Sequence, residues 1–234
     1  MKSTLVRLAL AGCVSLAVAG QAAAEVKFGV DVMSRYIWRG VDYGNAPSFQ
    51  PAITLTFGGF SLGTWAAYSF ASNAQTPAFA EHDLWAGYTL STPVGGFSLF
   101  YTDYFYPSAG LPYFNFSSNG GAHVLEGGVG YAGPESVPLT FSVYMNFHND
   151  PDNSVYIYAA YPFSIEEYTL TLFAGATPTT SAWYVTTEKA GLINAGITLS
   201  RTIKITESFS LPITASYMMN TVLEQSYLVV GVSL

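Results

Sequence analysis

The stretch that decides the fold is Ser48-Phe49-Gln50-Pro51-Ala52-Ile53-Thr54-Leu55-Thr56-Phe57-Gly58-Gly59-Phe60. Phe49, Pro51, Ile53, Leu55 and Phe57 fall on one side of a two-residue period. Ser48, Gln50, Ala52, Thr54 and Thr56 fall on the other. Successive side chains of a strand point to opposite faces, so this is a strand with one greasy and one polar face. Gly58-Gly59 is a two-residue hairpin signal, and it sets Phe57 opposite Phe60 on the same face. The chain carries no charge between Asp42 and Glu81. Gly and Pro interrupt that stretch, so it is not a membrane-spanning helix, which needs about 20 consecutive apolar residues.

The same period runs outward in both directions. Val26, Phe28, Val30, Val32, Tyr36 and Trp38 alternate with Lys27, Asp31, Arg35 and Arg39, with Ser34 as a small polar residue on the greasy face. At the other end Leu228, Val230, Val232 and Leu234 stand against Gln225, Tyr227, Gly231 and Ser233, with Val229 the exception. Between them strands are expected near 60–69, 81–90, 97–105, 123–131, 138–146, 154–161, 168–174, 191–201 and 209–217, twelve in all. In 97–105, Phe97, Leu99 and Tyr101 face lipid, which puts Asp103 at the rim or beyond a bulge.

The connections separate into two classes. Those after odd-numbered strands are long: 40–47, 70–80, 106–122 and 147–153. Those after even-numbered strands are tight: 58–59, 91–96, 132–137, 162–167 and 202–208. Long loops at one end and short turns at the other are the layout of an outer-membrane barrel. A sheet that spans hydrocarbon must close, because unpaired backbone groups are too costly there. The fold class expected is all-β: a closed antiparallel transmembrane barrel of about twelve strands over residues 25–234. A soluble β-sandwich or lipocalin-like barrel is the competing fold. It calls for more Lys and Glu on its outer face than these strands supply. Tyr36, Trp38, Tyr68, Tyr88, Tyr104, Tyr131 and Tyr161, near strand ends, suit an interfacial aromatic girdle.

Composition agrees. The chain of 234 residues has 10% charged and 16% aromatic residues. A soluble domain usually has about 25% charged residues. Disorder is excluded by the aromatics, and a disulfide scaffold by the single cysteine, Cys13. The pI of about 4.7 excludes a nucleic-acid-binding footprint.

Lys2 and Arg7, the apolar run from Leu8 to Gly20, and Ala22-Ala23-Ala24 before Glu25 read as a signal peptide over residues 1–24. A membrane anchor would need a longer run. Leu10-Ala11-Gly12-Cys13 also matches a lipobox, which would acylate Cys13, but too few apolar residues separate it from Arg7. Cleavage near Ala24 removes Lys2 and Arg7, leaving six basic and fifteen acidic residues, a net charge of −9 and no cysteine. The location expected is the outer membrane of a Gram-negative bacterium.

Ser34-Arg35-Tyr36-Ile37-Trp38-Arg39-Gly40, followed by Gln50-Pro51-Ala52, resembles the opening of uncharacterised Gram-negative outer-membrane barrel families. These begin with Ser-basic-Tyr-x-aromatic-Arg-Gly. The close resemblance covers positions 31–63, and a fainter similarity to MltA-interacting barrel proteins rests on the same region. The resemblance implies an outer-membrane barrel of this size and brings no catalytic residues and no agreed substrate.

The residues expected to line the lumen are Lys27, Asp31, Arg35, Gln50, Glu81, Asp83 and Glu126. Lys27, Asp31 and Arg35 are too far apart along one strand to pair directly, at ~3.3 Å per residue, so Glu81, Asp83 and Glu126 are their candidate partners. Trp65, Trp85 and Met33 narrow the lumen further. His82 faces lipid or rim, while its neighbours Glu81 and Asp83 face the lumen. His123 and His148 sit in or beside different loops, and no serine stands out as a nucleophile. Phe147–Asn153 has the oxygen ligands of a calcium loop but not the Gly and terminal Glu of an EF-hand. No catalytic residue, metal site or cofactor is expected. The leading function is a narrow passive channel or small-solute binding barrel with a weak cation preference. Its partners would be outer-membrane lipid and small polar or cationic solutes, with no nucleic acid and the protein partner unspecified. A filled structural or adaptor barrel is the alternative, and a lipid-modifying enzyme at the rim is the third reading.

Overall fold

Twelve antiparallel strands close into a barrel in the computed structural model, which describes residues 24–70, 78–184 and 190–234. The wall strands are β1 (Glu25–Met33), β4 (Ser48–Phe57), β5 (Phe60–Ser69), β6 (Ala80–Thr92), β7 (Gly95–Phe105) and β8 (His123–Ala132). They continue as β9 (Thr140–His148), β10 (Val155–Ile165), β11 (Tyr168–Thr177), β12 (Gly191–Lys204), β13 (Ser210–Asn220) and β14 (Gln225–Ser233). A separate pair, β2 (Tyr36–Trp38) and β3 (Val41–Tyr43), lies outside the wall order. The signal-peptide reading and Cys13 fall outside the described residues.

The wall is a meander. Each strand pairs with its sequence neighbour, β4 meets β1 across the small hairpin, and β14 returns to β1. Phe57 pairs with Phe60 at the Gly58-Gly59 turn, and their rings stack at 6.1 Å. The two-residue period sorts the faces. Phe28, Ile53, Leu62, Leu99, Val129 and Leu228 stand exposed outside, with Phe28 76% accessible. Gln50, Glu81, Asp83 and Glu126 are buried on the inner face. Three inner tyrosines, Tyr144, Tyr156 and Tyr158, replace the apolar core of a soluble domain. Gly128 lies opposite Tyr144, and a Cβ there would sit 2.5 Å from that ring. The small residue makes the room the ring occupies.

The first strand departs from its expected length. Its alternation continues to Arg39, but β1 leaves the wall at Met33 and the chain turns inward. Tyr36 pairs with Tyr43, Ile37 with Asp42 and Trp38 with Val41. Arg39 and Gly40 both have positive φ, 48° and 82°, which a two-residue turn of the hairpin type requires. Alternation alone cannot separate a wall strand from a hairpin tucked inside the wall, because both have period two.

The inward turn also leaves the closing seam short. β1 and β14 share three registered pairs, Asp31 with Ser233, Val32 with Val232 and Met33 with Gly231. Ser34 adds a step by donating its amide to Val230 O at 2.8 Å and accepting from Val230 N at 2.9 Å. The neighbouring pair β1–β4 has nine. The expected girdle is corrected as well. Tyr68, Tyr88, Tyr131 and Tyr161 are on the outer face, but Tyr36 and Trp38 belong to the hairpin and Tyr104 points inward, 6% exposed.

Candidate functional site: a hairpin pinned inside the barrel

Arg39 sits at the tip of the β2–β3 hairpin and reaches the far wall. Its Nη1 and Nη2 donate to the two carboxylate oxygens of Glu126 on β8, at 2.6 and 2.9 Å. Nη1 also donates to Tyr184 Oη at 2.6 Å. The guanidinium lies over Trp38, Tyr156 and Tyr144, at 4.4, 4.5 and 4.8 Å from the ring centres. Tyr104 completes the pair by donating to Glu126 Oε1 at 2.9 Å. A two-pronged guanidinium–carboxylate pair fixes orientation as well as charge, and the rings add cation–π attraction. Burial opposes the charge on Arg39, yet the Glu126 carboxylate, followed by Tyr184 and Tyr104, holds the guanidinium well above its ordinary value.

The hairpin is held elsewhere too. Trp38 stacks on Tyr184 at 5.8 Å. Asn220 Nδ2 donates to Gly40 O at 2.9 Å, and a Cβ on Gly40 would lie 2.8 Å from Asn194 Cβ. At the hairpin base, Tyr36 packs on Trp65 at 5.2 Å, on the side of the lumen where Glu81 and Asp83 are buried. Burial, then Glu81 and Asp83, push the Tyr36 phenol well up. Burial and then Glu81 do the same to Tyr43 and Tyr106. Beyond the tip the lumen stays open in two cavities that share Arg39 and Tyr144. One, about 340 Å³, runs along Trp85, Phe100 and Glu126. The other, about 440 Å³, runs along Tyr158, Phe173 and Asn194.

The seven expected lumen residues divide. Gln50, Glu81, Asp83 and Glu126 point inward and are buried. Asp31 lies opposite Gln50 on the inner face. Lys27 is solvent-exposed and pairs with Glu25 at 3.4 Å, so it does not reach the three carboxylates. Arg35 is a correction. It is not on a wall strand but in the loop after β1, bonded to Asp42 and Asn45 beside Gln225 and Tyr227 at the mouth. Arg39, assigned to the end of the first strand, is the residue that meets Glu126. Sequence reading missed the partners Tyr144, Tyr156 and Tyr184. The Trp38-Arg39-Gly40-Val41 turn between two short alternating runs was the available signal.

A second polar cluster lies on the outer face. Asp103 points outward between Leu84 and Leu125, and its Oδ1 is 2.7 Å from His123 Nδ1. His123 Nε2 lies 2.5 Å from Tyr113 O. Asp103 and the Tyr113 carbonyl therefore engage both ring nitrogens. Phe116 stacks on His123 at 3.9 Å, which folds the 106–122 loop over the pair. His123 is therefore a clamp for the loop with no free nitrogen for base catalysis. His82 also faces out, 2.7 Å from Tyr68 Oη. In the 147–153 loop, Asp150 accepts from the amides of Asp152 and Ser154 and from Asn146 Nδ2. Its oxygens serve the turn itself.

These features define the class: a closed twelve-stranded antiparallel barrel whose first loop folds back into the lumen. The chain belongs to the bacterial protein family of unknown function Gcw_chp, whose model matches residues 17–209. No curated protein matches the sequence.

Proposed function

We propose that the protein is an outer-membrane barrel that serves as a narrow conduit for small cationic or neutral polar solutes, with the β2–β3 hairpin as its constriction. The location is supported by the outer face. A belt of exposed Phe, Leu, Ile and Val around a closed sheet is unfavourable in water at about 25 cal/mol per Å² and suits hydrocarbon. The observation that carries the conduit reading is the hairpin seated across a lumen that keeps two cavities beside Arg39. Side chains fill small barrels and leave wide ones open; here a single loop sets the bore. Among the described residues, the buried inner carboxylates Glu81, Asp83 and Glu126 outnumber the buried guanidinium of Arg39, which favours cations in a low-dielectric passage.

The adaptor reading has its own support in the density of contacts around Arg39, which suit a permanent plug. Planar-bilayer recording separates the two. Small cation-preferring steps are expected in the wild type, by reversal potential across a KCl gradient, with larger steps in Arg39→Ala. Silence in both proteins would sink the conduit and leave the adaptor. Large ungated steps in the wild type would sink the hairpin as constriction.

A further inference from the structure

Three inward carboxylates crowd around the hairpin, and only one has a counter-charge. Arg39 neutralises Glu126. Among the described residues no Lys, Arg or His forms an ion pair with Glu81 or Asp83. These two are alternate residues of β6, so they share a face about 6.6 Å apart at ~3.3 Å per residue. They are 2% and 7% exposed. Asp83 Oδ1 is enclosed and has no hydrogen-bond partner. An enclosed carboxylate oxygen with nothing to bond is strongly unfavourable, and a like-charged neighbour makes it worse. The base of the hairpin packs beside them, with Tyr36 against Trp65 and Phe79, and Tyr43 against Phe79.

We propose that Glu81 and Asp83 hold one hard divalent cation of the calcium type between the wall and the hairpin. Hard cations take carboxylate and other oxygen donors at flexible geometry. No third acidic or imidazole ligand joins the pair among the described residues, so phenol oxygens and water complete the shell. Two carboxylates place the affinity in the weak range, about 10⁻⁴–10⁻³ M. The ion holds the hairpin base through Tyr36 while Glu126 holds its tip through Arg39. External calcium then tunes how firmly the constriction is seated. This rests on the reading of a lumen reached by water and ions.

Terbium luminescence on the full folded chain in detergent tests the site, because the surrounding Tyr and Trp sensitise a bound lanthanide. Saturable emission that calcium displaces, lost in Asp83→Asn and kept in the loop variant Asp152→Asn, is the expected result. Emission unchanged in Asp83→Asn, or none in the wild type, overturns it. Should Asp83→Asn not fold, thermal unfolding of the Asp152→Asn protein decides. A higher Tm in calcium than in chelator supports the site, and equal values overturn it. Retained binding with silent bilayers would defeat the conduit and leave the cation site standing.

Discussion

Arg39 concentrates more interactions than any other residue described above. It carries a buried charge, and its cost is offset only because Glu126, Tyr184 and three rings meet it together. Removing one partner of such a pair leaves the other charge stranded, a loss of about 3–5 kcal/mol. Arg39→Ala is therefore expected to lower resistance to urea by roughly that amount if the hairpin unseats with the barrel. Arg39→Ala combined with Glu126→Gln should lose less than the sum of the two, with a coupling of ~0.5–3 kcal/mol. Additive losses would show that the pair does not hold the hairpin. The sequence offered Glu126 as a candidate lumen carboxylate, and it is buried. It could not say which base would find it, because that depends on where β1 leaves the wall.

At the scale of the element, the hairpin is a short two-stranded unit that would not be stable alone in water. Its stability comes from the walls around it. Burial, with Glu81 nearby, raises Tyr36, Tyr43 and Tyr106. Tyr184 is pushed up to about 12, by burial before anything else. These phenols keep their protons in the folded state at pH values where the unfolded chain loses them. Their contribution is complete below about pH 10, the ordinary tyrosine value, and falls away as pH rises through the folded values. Alkaline titration should therefore show exposed tyrosines ionising first and a delayed group ionising as Trp38 fluorescence reports release of the hairpin. A single absorbance wave near ~10 with the hairpin still seated would contradict this burial.

For the whole molecule, the two faces of the wall should answer substitution differently. Leu62 is half exposed on the outer face, and Gln50 is buried on the inner one. In a bilayer, Arg at a mid-membrane outward position costs about 2–4 kcal/mol. Leu62→Arg should lower the yield of heat-modifiable barrel in folding titrations, whereas Gln50→Ala, which loses a bond to Ser48 at 2.8 Å, should be mild. Normal folding of Leu62→Arg in lipid would mean that the outer face does not meet hydrocarbon. The three-pair seam between β1 and β14 is the place where this wall is least tied together.

Sequence alone determined the strand count, the meander, the division of loops and turns, and the facing of Gln50, Glu81, Asp83 and Leu62. These follow from period two and from turn chemistry, which are local. It also left Asp103 correctly as an exception to its strand's greasy face. Only the tertiary structure decided that residues 35–47 leave the wall, that Arg39 crosses the lumen to Glu126, and that Arg35 stays at the mouth with Asp42. It also decided that His123, twenty residues after Asp103, is that carboxylate's partner. The reason is physical. Alternation records which side of a strand is apolar, and both the wall and the inserted hairpin satisfy it. Which charge meets which is fixed by closure of the sheet, and closure depends on all twelve strands at once.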